Sequence, residues 1–361
     1  MGALFKIVTL TMCLMALASC QPFPPGQQQA SAAASEAQAE PDAGTCPGTA
    51  CRAPAWSPDG SRIVFVADMS WHGPLVAANA ELTTFWNLLD PSRDLDLTPC
   101  ATGTARVNGS VPQSGLVITE TVVVSPTSSS RAYPDGLYSE PAWSPRADVI
   151  AFSFIPSKDE SAKGFLRGIY AAGVDHPGMK LLIPLPYGEG GVSWSPDGGR
   201  LLYARVDESG LAWICIANSD GTGEKAIKQV PLYTQAAWSP DGSYIAFIPG
   251  GQVRDVMMMN TDGTQMRNLT NDGQAEYERS LAWSPDSKRL VFTTLSDDPK
   301  PDTHRLYVIN VDGSGRKLVA EGPHYGPLAW SPNGEWLVVE EWGSVKAGRE
   351  SSFLIKLKVD F

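Results

Sequence analysis

A tyrosine stands at nearly the same place in successive stretches of this chain. It precedes a Trp-Ser-Pro tripeptide by five to seven residues at Tyr138, Tyr187, Tyr233, Tyr277 and Tyr325. A Tyr ring offers broad apolar surface with a hydrogen-bonding tip, which suits peptides and sugars alike. Glu189, Arg279 and His324 fall in the same stretches, with Glu140, Glu276 and Glu278 beside them. Together they form the candidate binding set. The same spacing has a packing reading, in which each Tyr wedges against a neighbouring repeat.

Residues for catalysis are scarce. The four histidines, His72, His176, His304 and His324, sit on separate predicted loops without metal-ligand spacing. There is no Gly-x-Ser-x-Gly elbow and no Gly-rich phosphate loop opening a helix. Carboxylates are plentiful, and two facing each other across a ring would form a glycosidase-like pair. No catalytic residue, metal ligand or cofactor is assigned. A net charge of −11 argues against nucleic acid and anionic membrane faces as partners.

The N-terminus carries addressing chemistry. One positive charge before Ile7–Ala18, then Leu17-Ala18-Ser19-Cys20, resembles the lipobox of bacterial lipoproteins, where the thiol of Cys20 is acylated. Residues 1–19 are read as the signal peptide and 20–44 as a lipidated Cys with a flexible Ala-, Gln-, Pro- and Ser-rich tether. This implies an extracytoplasmic, membrane-anchored location in which disulfides form. Cys46 with Cys51 is the local candidate, and Cys100 is an alternative partner for either. Cys215 lies in an apolar strand and reads as a buried thiol.

Repetition sets the elements that position these groups. Trp-Ser-Pro occurs at Trp56, Trp143, Trp194, Trp238, Trp283 and Trp330, at intervals of 87, 51, 44, 45 and 47 residues. A period in the forties predicts a propeller. In one unit, Leu281–Trp283, Arg289–Thr294, Arg305–Asn310 and Lys317–Ala320 read as four strands in series, the last two joined at Asp312-Gly313. Second strands such as Arg62–Ala67 and Arg200–Arg205 are apolar on both faces, as a sheet covered on both sides requires. Each Trp is expected between blades. The Asp of Ser-Pro-Asp-Gly (Asp59, Asp197, Asp241) is expected to bond its own turn.

The expected fold is therefore all-β: a six-bladed β-propeller of four-stranded antiparallel blades over 45–361, with an insertion at about 99–137. Seven blades is the alternative raised by the long first interval. Thr83–Leu89 and Asp94–Thr98 read as the third and fourth strands of the first unit. Gly115–Val124 reads as a hairpin strand or a degenerate blade. The sixth unit stops after a third strand, Ser352–Val359, and Gly44–Ala50 is expected to supply the missing outer strand.

The stretch from Met258 to Thr294 runs MMNTDGTQMRNLTNDGQAEYERSLAWSPDSKRLVFTT. It resembles the repeat of TolB-type propellers, related to WD repeats, and the likeness extends over about Cys51 to Phe361. TolB carries a further N-terminal domain, which nothing here resembles, and it is soluble in the periplasm. The Tol–Pal partnership is therefore not carried over. Propeller lyases resembling this repeat use His-ligated metal in the channel, which would require His72, His304 and His324 to converge.

With the first strand innermost, the Ser-Pro-Asp-Gly and Asp-Gly turns share one face. The links between blades and the loops Asp68–Leu82, Pro156–Leu166, Ser296–His304 and Trp342–Ser351 share the other, where variation favours binding. The expectation is a lipid-anchored, non-catalytic scaffold of the bacterial cell envelope that binds an envelope or extracellular protein or peptide. The alternative is a polysaccharide-binding or polysaccharide-cleaving propeller with a channel-mouth site.

Overall fold

Six antiparallel sheets account for nearly all the regular structure of the chain in the computed structural model. The described residues are 50–68, 75–80, 85–87, 97–103, 116–126, 134, 136–146, 148–174, 178–188, 191–251, 254–271, 276–296, 304–322, 325–345 and 349–359. The signal, tether, Cys20 and Cys46 lie outside them.

Five sheets have four strands in sequence order. Blade one is Ala50–Trp56, Arg62–Asp68, Leu75–Asn79 and Phe85–Asn87. Blade two is Gly136–Trp143, Val149–Pro156, Gly168–Gly173 and Lys180–Pro184. Blade three is Val192–Trp194, Arg200–Val206, Ala212–Asn218 and Lys225–Val230. Blade four is Gln235–Trp238, Tyr244–Ile248, Met257–Asn260 and Arg267–Asn268. Blade five is Glu276–Trp283, Arg289–Ser296, His304–Asn310 and Lys317–Gly322. The six-blade fold is as the repeats imply. One short helix, Lys158–Ala162, lies in the loop before Gly168 of blade two.

Blade six departs from the expectation. Its three C-terminal strands, Tyr325–Trp330, Trp336–Val345 and Arg349–Val359, are completed by Leu116–Pro126 and then Leu97–Gly103. Leu354 stands opposite Val122, Lys356 opposite Glu120 and Val359 opposite Leu116. The insertion after blade one is thus the closing strap. Gly44–Ala50 is not the outer strand, because Ala50 opens the inner strand of blade one and pairs with Asp68. The strand order of blade one is also earlier than expected: its third strand is Leu75–Asn79, and Leu97–Gly103 belongs to blade six. The expected loop Trp342–Ser351 is mostly a continued hairpin, with Val345 opposite Arg349.

Packing follows the seams. Six buried clusters each join two adjacent blades, from Val64 with Phe152 between blades one and two to Ile63 with Val338 between blades six and one. Each repeat Trp packs against the blade before it; Trp194 is half-buried and the other five are buried. The apolar two-faced second strands arise from this sandwiching, as with Leu201, Leu202 and Tyr203. Cys215 is buried here, and burial pushes its thiol up to about 12.

The turns are tied as expected. The Ser57 hydroxyl donates to Asp59 Oδ1 at 2.6 Å, and the Ser61 amide donates to the same oxygen at 3.0 Å. Ser195 with Asp197 and Ser239 with Asp241 repeat the contact. The second turn type needs glycine for space as well as conformation. Gly221 has φ +89°, and a Cβ there would stand 2.1 Å from the Leu182 carbonyl oxygen of the preceding blade.

Candidate functional site

Inner strands and links place the recurring tyrosines, and the outcome divides them. Tyr138 is buried, donates from its hydroxyl to the Pro134 carbonyl oxygen at 2.8 Å, and packs on Phe152 and Phe154. Tyr325 is buried in the seam between blades five and six. These two fill the packing role and present no ring to solvent. The side chain of Tyr277 lies outside the described residues, as do Glu189 and His324. Arg279 is exposed; desolvation, then the nearby Arg254, lowers its guanidinium's pKa. Glu276, Glu278 and Arg279 lie on the inner strand of blade five, and Glu278 is buried opposite Thr294.

Tyr187 and Tyr233 are different. They are 57% and 80% exposed. Tyr187 lies in the link between blades two and three, and Tyr233 in the link between blades three and four. Tyr233 has φ +64°, a conformation that a bulky residue adopts only when its surroundings impose it. Gly250 supplies the constraint: a Cβ there would stand 1.6 Å from the Leu232 carbonyl oxygen. The Thr234 hydroxyl closes the same turn onto Pro231 at 2.7 Å. The link of Tyr187 is held similarly, since a Cβ on Gly188 would stand 2.2 Å from Val206 Cγ2. Both rings are therefore held out on pinned backbone.

Three leucines join them. Leu166 precedes the third strand of blade two, Leu211 precedes that of blade three, and Leu232 adjoins Tyr233. Up-and-down topology puts all of these segments on one face. Among the described residues, five of the six exposed large hydrophobics are these; the sixth, Met266, sits by a turn on the opposite face. Arg167 lies beside Tyr233; burial lowers its guanidinium's pKa and the tyrosine partly opposes that. The leucines had no repeated spacing to announce them. Their signal was large apolar residues inside otherwise polar loops.

The central channel is chemically quiet. All six inner strands line it, with Pro54, Pro141, Val192, Ala236, Leu281 and Pro327 among the lining residues. Proline suits this edge because an inner strand has no further strand to receive its N–H. Among the described residues, those lining this pocket include no charged side chain. His304 is buried in blade five, and no group of three or more potential metal ligands occurs among the described residues.

Residues 121–334, more than half of the chain, match the TolB beta propeller domain. The chain belongs to the TolB beta-propeller family. It is 25% identical over 151 residues to an uncharacterized peptidase, YuxL, of Bacillus subtilis, covering 40% of this chain and 20% of that protein. It is 31% identical over 115 residues to the Tol-Pal system protein TolB of Gluconobacter oxydans, covering 30% of this chain and 24% of that protein. The matches thus span no more than a quarter of these relatives' length. The structure of a putative TolB from Agrobacterium tumefaciens has a TM-score of 0.52 at 18% identity, covering 85% of this chain and 90% of that one. That likeness is one of fold.

Proposed function

We propose that this TolB-family propeller is a non-catalytic recognition scaffold of the cell envelope, binding a protein or peptide through the link face of blades two to four. The observation that carries this reading is the gathering of Leu166, Tyr187, Leu211, Leu232 and Tyr233 on one face. Exposed large apolar residues gathered on one face of a regular scaffold suit an interaction site, and rigid tyrosines lose little entropy when they bind. The strained backbone of Tyr233 supports it, since strain is retained where it serves a purpose. The name of the Gluconobacter oxydans relative, a Tol-Pal system protein, is consistent with an envelope setting.

The test is affinity capture with the full chain on envelope extract of the encoding organism, followed by titration of the recovered partner. A Tyr187→Ala, Tyr233→Ala double variant is expected to keep its thermal midpoint and bind the partner about 100-fold more weakly. Equal affinity of parent and double variant sinks the assignment of the face.

Anchoring through Cys20 belongs to the same proposal. The chain expressed in a Gram-negative host is expected in the membrane fraction, and Cys20→Ser is expected to move it to the soluble periplasmic fraction. An unchanged distribution in that variant refutes lipidation at Cys20.

A further inference from the structure

We propose a second site, on the face opposite the exposed tyrosines: the seam between blades six and one binds a small neutral polyhydroxylated ligand, a single sugar ring. A hollow of about 190 Å³ opens there between the Ser-Pro turns of the two blades, lined by Trp56, Trp336, Lys356, Asp59 and Asn333 among others.

This seam departs from the repeat in one residue. Arg62, Arg200 and Arg289 each open a second strand and lay a guanidinium over the next blade's indole, 5.2 Å from Trp143, 4.8 Å from Trp238 and 5.9 Å from Trp330. In blade six the same position is Trp336. The cation near Trp56 comes instead from the third strand. Lys356 Nζ stands 5.9 Å from the Trp56 ring and 4.6 Å from the Trp336 ring. Lys356 is buried and donates to the Ala80 carbonyl oxygen at 3.2 Å. Two indoles line this seam, where three of the others have one indole beneath an arginine and the remaining two have Val149 or Tyr244 at that position.

Trp56 departs a second time. Trp194 and Trp283 donate Nε1–H to Ala142 and Ala237 carbonyl oxygens of the preceding blade, at 3.1 and 3.2 Å. Trp238 and Trp330 donate to Gly242 and Gly334 oxygens of their own turns, at 3.4 and 3.1 Å. Trp56 Nε1 is buried with no acceptor among the described residues. A buried donor left unpaired costs stability unless something else supplies the acceptor.

The remaining wall chooses the ligand class. Asp59 is ionised, its carboxyl held at about 2 chiefly by the Ser57 hydroxyl. Asn333 adds a carboxamide, whose Nδ2 reaches Glu335 at 3.2 Å. An anion would meet Asp59, and a cation would meet Lys356. A hydroxyl donates and accepts at once, so a neutral polyol satisfies both walls while the C–H face of its ring lies on indole. A cavity of roughly 150 Å³ holds benzene, so this hollow admits one ring and not a chain.

The test is calorimetric titration of the full chain with the methyl glycosides of glucose, galactose and N-acetylglucosamine, with glucuronate and glucosamine as charged probes. At least one neutral glycoside is expected to bind, and more tightly than either charged probe. Trp336→Arg gives blade six the residue that blades one, three and five carry. It is expected to fold and to weaken binding at least about tenfold. Trp56→Phe keeps a ring and removes the N–H; it is expected to weaken binding several-fold, and it decides the matter should Trp336→Arg fail to fold. The Tyr187→Ala, Tyr233→Ala variant is expected to bind sugar normally, which separates this site from the link face. The proposal is overturned if no neutral glycoside binds, if a charged probe binds more tightly, or if the Trp336 variant folds and binds equally well.

Discussion

A chain in which residues 97–126 are replaced by a short flexible linker is expected to lose its closed ring and to self-associate. Those residues supply the two outer strands of blade six. Without them the 11-residue strand Arg349–Val359 becomes an open edge with its outward N–H and C=O groups unpaired. Six register pairs, from Leu354 opposite Val122 to Val359 opposite Leu116, would be lost. At about 1 kcal/mol net for each lost hydrogen bond, the thermal midpoint should fall by roughly 10 °C or more. The consequence spreads beyond blade six, because the strap leaves the chain between blades one and two. It links the first repeats to the last, and its removal leaves the seam of blades six and one to side-chain packing and two side-chain hydrogen bonds, Ala53 N–H to Glu340 Oε2 at 3.4 Å and Lys356 Nζ to the Ala80 carbonyl oxygen at 3.2 Å. Melting curves together with size-exclusion chromatography check this. A chain lacking residues 20–44 controls for shortening. A strap-deleted protein that stays monomeric with the parent's midpoint would show that the ring does not depend on this closure.

The strap also shows where sequence reading stopped. The Trp-Ser-Pro period reports local structure repeated, and it located all six inner strands, the serine-aspartate turns and the two-faced second strands. Gly115–Val124, rich in β-branched residues, read as a hairpin strand or a degenerate blade. Nothing within that stretch said that its neighbour would be the chain's last strand, more than 220 residues later. Strand pairing over such a distance is set by which edges remain open, a property of the assembled ring. The alanine-rich Leu75–Asn79 misled for a different reason. Its small residues have weak strand preference in isolation, yet Leu75–Ala78 are fully buried against blades six and two. For the candidate site, the tyrosine spacing mixed two populations. Tyr138 and Tyr325 are duplicated packing residues, whereas Tyr187 and Tyr233 sit in links held by Gly188 and Gly250. Only the backbone path separates them. The seam hollow was visible in principle, since aligning the repeats sets Trp336 against Arg62, Arg200 and Arg289.

Trp283→Ala is expected to destabilise the protein by about 3–5 kcal/mol, the cost of emptying a large aromatic site in a packed seam. Trp283 is buried against Ala246 and Met258 of blade four and Leu290 and Phe292 of its own blade. Both walls of its cavity are sheets fixed by their own hydrogen bonds, so neither collapses readily into the space. Its Nε1–H also holds the Ala237 oxygen at 3.2 Å, directly bonding one inner strand to the next. Ala237 lines the open channel, where water replaces that donor, so the packing loss outweighs the hydrogen-bond loss. Trp283→Phe should therefore recover most of the stability although it cannot donate. Trp194 makes the corresponding bond to Ala142 at 3.1 Å but is only half-buried. Its replacement by Ala should cost clearly less than that of Trp283, since less apolar surface returns to water. Urea unfolding of the three variants measures these differences. Equal losses at Trp283 and Trp194, or no rescue by Phe, would mean that the indole N–H bonds between inner strands, and not burial in the seam, are why each repeat keeps its tryptophan.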